Sequence, residues 1–549
     1  MIGYLEILSK MMNFRVFAIL PIVMFSSAVF FSVPITADFG FFDAGRHGMD
    51  GLFFADVIRD FGIFNPLHYV VHYYQHYPAI TPVQYPALFP LCESILFMII
   101  EPHPWVSRML VACFLAFGAV GVMLISRRFM GKLHSLMTCL LFVSCPIVIF
   151  WSRDTMLEMP TMAMIIWSMY HFLAFMEKKK ANDVALFFVF AILAPYTKQN
   201  AVFIIPVAVL SAVITKKSDL LTDRRFLLGL LLCSLFGVPL IYLTLRWNLF
   251  NLDQSFGTFG VTPMKPLDHV LYYFSNLPDI LGWPILLLAA GGALIFALHF
   301  GFRKNSSHYK TTSYLLLVWL LICFIQITLI KIKEPRHAFF WVPPFAILAG
   351  FALDRASLIM GKLNFIVITF VIALFGWNLA HAEMNWSGGY MEIAQYLKAN
   401  WEGSALLIDL HRDAPLIFRL RCLDAGGDMR IYRSDKIFEK MVVYKKNAVP
   451  LIDNQDQLLK SLIEYGIRYV LIEKNFHFFT QTDRLLCELV QSEKFDKVRD
   501  FSVTLPDNKK NTYLLYRYRG ALPVRASIPK IFLPIAGIYI DSDGSIKKL

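Results

Sequence analysis

The sequence predicts a polytopic α-helical membrane protein that ends in a small α/β domain. Three observations predict this fold: the composition, a series of apolar runs, and a change of pattern after residue 380. Of the 549 residues, 57% are hydrophobic and only 17% are charged, whereas soluble domains average about 25% charged residues. A chain this apolar needs lipid as its solvent for much of its length.

Eleven apolar runs are candidates for membrane-spanning helices, which need roughly 20 mostly apolar residues each. One further apolar run, residues 87–101, contains Glu93. The eleven candidate spans are residues 16–34, 105–125, 133–150, 159–176, 183–195, 200–215, 226–247, 281–300, 312–330, 338–353 and 363–380.

The basic residues decide whether residues 87–101 cross the membrane, because Lys and Arg in short loops favour the cytoplasmic side. If this run is a juxtamembrane helix, all six basic clusters fall on one side. The N-terminus is then cytoplasmic and the C-terminal domain lies outside.

The net charge of +12 is explained by basic loops that meet anionic lipid, and no nucleic-acid partner is expected. The clusters are Lys10 with Arg15, Arg127 and Arg128 with Lys132, Lys178 to Lys180, Lys216 and Lys217 with Arg224 and Arg225, Arg303 and Lys304 with Lys310, and Arg355 with Lys362.

The first run has an alternative interpretation as a cleaved signal peptide. It has a basic start and the small residues ITA before Asp38, which resemble a cleavage site. The run is long for a signal peptide, and the orientation of the remaining spans is the same in either case.

The predicted domains are a transmembrane domain, residues 1–380, and an extracytoplasmic α/β domain, residues 381–549. The first outer loop, residues 35–104, is rich in Asp, His and Tyr and contains no Lys, and long loops of this kind usually carry function. In the α/β domain we expect strands at 404–410, MRIYRS, RYVLIEK, FSVTL and TYLLYRYR, and helices at APLIFRLRCLD and DQLLKSLIEYGI. Residues 521–549 give no clear pattern.

Three acids are candidates for catalysis at the outer membrane surface. Asp43 follows the first span, with no Lys nearby, and is placed to act as a general base. Asp154 and Glu158 lie four residues apart in the next outer loop, and share a face if that segment is helical. The alternatives are a helix cap, a local ion pair of Asp43 with Arg46, and surface pairing of Asp154 or Glu158 with Arg153.

Two basic segments break the charge rule, because they lie on the outer side of the predicted topology. Lys198 occurs in PYTKQN, and Lys331, Lys333 and Arg336 occur in KIKEPRH. Cations in such places favour an anionic partner such as a lipid phosphate, for which Arg is well suited. Snorkelling of the lysines to the interface is the alternative.

Five short motifs occur in the order found in one known superfamily. They are Asp43-Ala44, Tyr85-Pro86-Ala87-Leu88, Leu157-Glu158-Met159-Pro160, Thr197-Lys198 and Glu334-Pro335-Arg336-His337. With these motifs the whole chain resembles the GT-C superfamily of membrane glycosyltransferases, and within it the branch of protein O-mannosyltransferases and lipid A aminoarabinose transferases. Glu158 replaces the branch's usual aspartate, Tyr85 its lysine, and His337 its tyrosine.

The resemblance implies inverting transfer of a sugar from a polyprenyl-phosphate-sugar lipid to a glycan, lipid or protein acceptor. It implies a location in the cell inner membrane and no soluble cofactor, and the lone Asp43 does not favour a divalent cation. The implied catalytic residues are Asp43, Glu158 and Asp154. Donor phosphate would bind Arg336, Lys198 and Lys333, and the positioning residues would be Arg46, His47, Tyr85 and His337.

Two other functions fit a membrane protein with these charges. A transporter or flippase of polyprenyl-linked sugars would also carry intramembrane charges and basic lipid contacts, but would not need the acidic loop and the outer domain. A non-catalytic scaffold of envelope assembly would tolerate Asn at position 43. The sequence does not identify the sugar or the acceptor.

Overall fold

The fold is described by a computed structural model that covers residues 14–82, 84–247, 264–302, 307–360, 364–440, 448–474, 480–533 and 537–548. Four residues of the predicted basic clusters, Lys10, Arg303, Lys304 and Lys362, lie outside the described residues.

Apolar helices dominate residues 14–380, and every predicted span coincides with a helix or a pair of helices. The helices are α1 (Phe14–Phe31), α2 (Phe42–Arg59), α3 (Pro66–His76), α4 (Leu88–Ile99), α5 (Pro104–Ser126), α6 (Lys132–Ser144), α7 (Pro146–Ser152), α8 (Glu158–Lys178), α9 (Ala181–Thr197), α10 (Ile204–Ile214), α11 (Arg224–Trp247), α12 (Pro266–Ser275), α13 (Leu277–Leu281), α14 (Trp283–Phe302), α15 (Ser307–Leu329), α16 (Val342–Met360) and α17 (Asn364–Ala380). Short 3-10 helices, Gln199–Phe203 and Pro335–Trp341, precede α10 and α16.

The lengths of these helices agree with a multi-pass membrane protein. By length and composition, five helices in the described part of the chain are suited to cross a membrane, or up to seven if each of two bent pairs counts as one span. The other four predicted spans coincide with shorter apolar helical segments. The crossing of the membrane by these four segments stays a prediction.

Helix α4 corresponds to the predicted juxtamembrane run. It has 12 residues, too few to span a bilayer. Its Glu93 is fully buried against Gly51 of α2, where an added Cβ would lie 2.2 Å from Glu93 Oε2. The glycine therefore allows α2 and α4 to pack closely beside each other.

The basic loops between the helices meet at one end of the bundle. Lys179 pairs with Asp219 at 2.5 Å, Arg225 donates to Lys179 O at 3.0 Å, and Lys217 donates to Met176 O at 3.0 Å. Their common location agrees with the predicted arrangement, in which these loops share one side of the membrane.

We expect this basic end to face the cytoplasm. A reporter fused at Lys179 should therefore show cytoplasmic activity, and residues 390–520 should be cut by protease only after permeabilisation of the outer membrane. The result would contradict eleven crossings if the reporter and the protease-sensitive segment lay on the same side.

The C-terminal part contains a five-stranded sheet with the order β2-β1-β5-β7-β6. Strands β1, β2 and β5 are parallel, and β7 is antiparallel to both β5 and β6. Its elements are α18 (Tyr390–Ala399), β1 (Ala405–Asp409), α19 (Ala414–Leu423), β2 (Arg430–Arg433), α20 (Ser434–Ile437), β3 (Glu439–Lys440), β4 (Val449–Pro450), α21 (Gln455–Glu464), β5 (Ile467–Glu473), α22 (Gln481–Val490), β6 (Phe495–Thr504), β7 (Lys510–Tyr518), β8 (Ile531–Leu533), β9 (Ile538–Ile540) and β10 (Ile546–Lys548).

All the predicted strands and helices of this part are present, and the sequence missed several others. Strand β6 begins at Phe495 instead of the predicted Phe501. Its first half was missed because β6 is an edge strand and this half carries exposed charges. Helices α18 and α22 were not predicted. The segment without a clear pattern contains a three-stranded sheet, β10-β9-β8, whose strands are too short to show a periodicity.

The hydrophobic core continues across residue 380. Phe39, in the first outer loop, packs edge-on against Phe418 of α19 with ring centroids 5.0 Å apart, and buried residues of both parts belong to one cluster. The predicted domain boundary at residue 380 stays a prediction.

Candidate active site

The segment before α2 brings Asp43 to the end of the helical bundle, and Asp154 fixes that segment. Gly40 N and Phe41 N donate to Asp154 Oδ2 at 3.2 and 2.7 Å, and Thr155 N donates to Oδ1 at 2.8 Å. Burial raises the pKa of Asp154 to about 6. Asp154 is almost fully buried, and both oxygens of its carboxylate accept hydrogen bonds from these backbone groups.

Asp154 and Glu158 were expected to share a face only if their segment is helical, and it is not. Helix α7 ends at Ser152, and α8 begins at Glu158. The intervening residues form a turn that directs Asp154 towards the backbone of Phe41.

We expect Asp154→Ala to lower stability, because three backbone N–H groups lose their acceptor. An unsatisfied buried donor costs about 1–3 kcal/mol, so thermal unfolding in detergent should shift clearly downwards. Asp496→Ala, which removes an exposed pair with Arg519, is the matched control and should shift little. An unchanged unfolding temperature for Asp154→Ala would contradict this structural role.

Asp43 lies in the first turn of α2, near the positive end of the helix dipole. Its cationic partner is Arg336, whose Nη1 lies 3.4 Å from Asp43 Oδ2. Arg46 is not the local partner of Asp43. It pairs with Asp413, just before α19, at 3.0 Å.

Arg336 reaches Asp43 from the 3-10 helix that precedes α16. Its guanidinium lies 5.3 Å from the ring centre of Phe41 and 6.0 Å from that of Trp151. It also pairs with Glu334. The two aromatic faces hold the planar guanidinium beside the carboxylate of Asp43, where a second anion can meet it.

A second ion pair lies next to the first. Lys198 Nζ is 2.6 Å from Glu158 Oε1, and the Glu158 side chain is only 1% exposed. Glu158 Oε2 has no hydrogen-bond partner in the described part of the chain. The carboxylate of Glu158 also interacts electrostatically with Arg336. Glu158 therefore has one committed oxygen and one oxygen available to a ligand.

The two helices that carry this pair place it at the end of the bundle opposite the basic loops. Helix α8 begins at Glu158 and runs to Lys178, and α9 returns from Ala181 to Thr197. The pair and the Lys179 loop therefore lie one helix length apart.

His47 and Tyr85 line the same site. Their rings meet edge to face at 4.7 Å, and Tyr85 lies near enough to Asp43 for that carboxylate to raise its pKa. Burial lowers the pKa of His47 to about 4, so His47 is neutral at physiological pH. Burial and the charge of Asp43 raise the pKa of Tyr85. Both residues therefore place uncharged rings beside Asp43.

His337 and Lys333 lie on the far side of Arg336. Tyr273 Oη is 3.3 Å from His337 Nδ1. Lys333 Nζ donates to Ile327 O and Thr328 O at 2.8 and 3.1 Å, so it caps the end of α15, and burial lowers its pKa to about 8. These contacts make Lys333 a weaker phosphate candidate than Arg336.

Arg336 and Lys198 pair with the two carboxylates of this site, Asp43 and Glu158. Within the described residues, no three His, Cys, Asp or Glu side chains are grouped as metal ligands. That the protein uses no divalent cation stays a prediction.

The sequence did not single out three side chains of this site. Phe41 and Trp151 hold Arg336, and Arg412 reaches the segment before Asp43 from the C-terminal part. Aromatic residues are so frequent in this chain that neither ring stands out, and Arg412 is more than 360 residues from Asp43.

The chain is similar to one protein family by sequence. Residues 84–243 match the profile of the family described as dolichyl-phosphate-mannose-protein mannosyltransferase. This segment begins before Tyr85 and includes Glu158 and Lys198. No curated protein matches the chain.

Solved structures match nearly the whole chain. ArnT from Cupriavidus metallidurans bound to undecaprenyl phosphate has a TM-score of 0.58 and 15% identity, over 91% of this chain and 98% of that one. An oligosaccharyltransferase from Archaeoglobus fulgidus has a TM-score of 0.55 and 12% identity, over 85% and 70%. AglB from the same organism, with an inhibitory peptide and a dolichol-phosphate, has a TM-score of 0.53 and 11% identity, over 94% and 76%. The predicted fold is therefore confirmed.

Proposed function

We propose that this protein, a multi-pass membrane protein with the GT-C fold, transfers a sugar from a polyprenyl-phosphate-sugar donor to a glycan, lipid or protein acceptor. The observation that carries the proposal is the pair of Asp43 and Arg336, 3.4 Å apart, at the end of the apolar bundle. One group is suited to accept a proton and the other to bind a phosphate, which are the two requirements of this reaction.

In the proposed reaction, Asp43 removes the proton from a hydroxyl or amine of the acceptor. The acceptor atom then attacks the anomeric carbon from the face opposite the phosphate. The bond between that carbon and the phosphate oxygen breaks, so the configuration inverts. Arg336 stabilises the charge that develops on the leaving phosphate, and Asp43 retains the proton until it is released.

Glu158 and Lys198 support the donor side. Lys198 holds one oxygen of Glu158 at 2.6 Å, and the other oxygen is buried without a protein partner in the described segments. We assign this oxygen to a hydroxyl of the donor sugar. Lys198 reaches the phosphate only if its pair with Glu158 opens, so Arg336 is the primary phosphate ligand.

The proposed site lies on the non-cytoplasmic face of the inner membrane. The opposite end of the bundle carries the basic loops around Lys179, and basic loops favour the cytoplasm. A lipid-borne donor also suits a site at the end of apolar helices. Two proteins with the same fold are described with undecaprenyl phosphate and dolichol-phosphate, which supports a polyprenyl phosphate lipid.

Proteoliposomes test the proposal against transport and scaffolding. Purified protein is supplied with a mixture of polyprenyl-phosphate sugars, a membrane extract as acceptor, and a chelator. We expect free polyprenyl phosphate and sugar-labelled acceptor to form together, without a nucleotide or a metal. Movement of intact lipid-linked sugar across the bilayer would indicate a flippase, and neither outcome would indicate a scaffold.

A further inference from the structure

The segment that leads to Asp43 is held mainly by the C-terminal part of the chain. Asp38 N donates to Ser387 O at 2.7 Å, and Ser387 N donates back to Asp38 O at 3.3 Å. Arg419 Nε lies 2.6 Å from Asp38 Oδ1, and Tyr390 N donates to Asp38 Oδ2 at 3.2 Å. Asp38 and Arg419 are both almost fully buried, so this anchor is isolated from solvent.

The same contacts continue towards the base. The Ser387 hydroxyl donates to Phe39 O. Gly40 lies so close to the C-terminal part that an added Cβ would be 1.8 Å from Asn385 O. On its other side, Gly40 N donates to Asp154 at 3.2 Å. Residues 38–40 are thus enclosed between the C-terminal part and the turn before α8.

Arg412 contacts the last residues before Asp43. Its guanidinium donates to Gly40 O and lies 4.6 Å from the ring centre of Phe42. The ring of His411 meets Phe42 edge-on at 4.8 Å. Phe42 is the first residue of α2 and Asp43 is the second. Arg412 therefore fixes the backbone on which the first turn of α2, and with it Asp43, is built.

The loop that carries Arg412 is itself anchored to the sheet. It follows the carboxyl end of β1, in the middle of the parallel strands. His411 N donates to Glu473 Oε2, at the end of β5, at 3.0 Å. Asp413 pairs with Arg46 of α2 at 3.0 Å and with Arg433 at 2.9 Å. Loops positioned by a rigid scaffold often carry binding and catalytic residues.

We infer that the loop after β1 positions the catalytic base, and that Arg412 is a positioning residue that holds Asp43 in line with the donor through Gly40 O and the Phe42 ring. This inference rests on the proposed function, because it assigns Asp43 the role of the base. A base displaced by about 1 Å can lose about 10²-fold in rate. Donor binding depends on Arg336, and no contact between Arg336 and Arg412 is found among the described residues, so donor binding should be spared.

Two variants of Arg412 test the inference. We expect Arg412→Ala to lower kcat about 10–100-fold, with the donor Kd unchanged and the folded yield near that of the wild type. Arg412→Lys should recover much of the activity, because an ammonium group can still donate to Gly40 O and lie over Phe42. Arg519→Ala, an exposed ion-pair variant of the same domain, is the matched control and should behave as wild type.

Hydrogen exchange of residues 38–46 gives a readout that does not depend on activity. We expect faster exchange in this segment for Arg412→Ala, with the rest of the domain unchanged. The inference is overturned if Arg412→Ala keeps its kcat, or if kcat, donor binding and thermal stability fall together. If the wild type itself transfers no sugar, the proposed function fails, whereas the exchange experiment still decides whether Arg412 holds the segment.

Discussion

Asp43→Asn should bind the donor and insert normally, yet transfer almost no sugar. Loss of a general base slows the chemical step by about 10²–10⁴-fold. Asn keeps the shape of the side chain and removes its basicity. Since Asp43 pairs with Arg336 at 3.4 Å, the neutral side chain also leaves Arg336 more available to the phosphate. The donor Kd should therefore stay the same or decrease, while kcat falls.

The matched control is Asp60→Asn, at the other end of α2, where Tyr69 donates to the carboxylate at 2.7 Å. It should keep wild-type activity. The assignment of the base is wrong if Asp43→Asn stays active while Glu158→Gln or Asp154→Asn is inactive. In that case the base is Glu158, the first residue of α8, or Asp154, in the turn before it.

Arg336→Ala should lose donor affinity by about 10–100-fold. A hydrogen bond to a charged group contributes about 1.5–3 kcal/mol, and 1.4 kcal/mol corresponds to a tenfold change in Kd. The loss also leaves Asp43 without its cation, so an incoming phosphate meets a carboxylate directly. Binding of a fluorescent or radiolabelled polyprenyl phosphate to protein in nanodiscs measures the effect.

Two further variants separate binding from folding. Arg336→Lys keeps the charge but not the planar contact with Phe41 and Trp151, and should show an intermediate affinity. Arg355→Ala removes an arginine near the other end of α16, beside Asp354, and should bind donor normally. Equal donor binding by Arg336→Ala and the wild type would contradict the phosphate assignment.

The helical bundle and the sheet could be predicted because their signals are local. Apolar runs predict the helices of the bundle, and β1 and β5 are short apolar runs with clear boundaries. The two-residue and three-residue strands could not be predicted, since they carry no periodicity. Strand β6 was predicted only in part because its first half is a charged, exposed edge.

The site could be predicted only as a set of candidate residues. Position at the membrane surface pointed to Asp43, Glu158, Lys198 and Arg336, and these four lie together. Their pairing was not predictable, because ion pairs between Lys198 and Glu158, or Arg336 and Asp43, join segments far apart in the chain. For the same reason, the binding of backbone amides by Asp154 and the pairing of Arg46 with Asp413 could not be predicted.

The most direct test of the central claim is mass spectrometry of lipid that co-purifies with the protein. We expect Asp43→Asn to retain a polyprenyl monophosphate that carries a sugar, because binding is preserved and transfer is blocked. The same lipid should be greatly reduced in Arg336→Ala. The account is contradicted if no polyprenyl phosphate is bound to either the wild type or Asp43→Asn, or if its amount does not depend on Arg336.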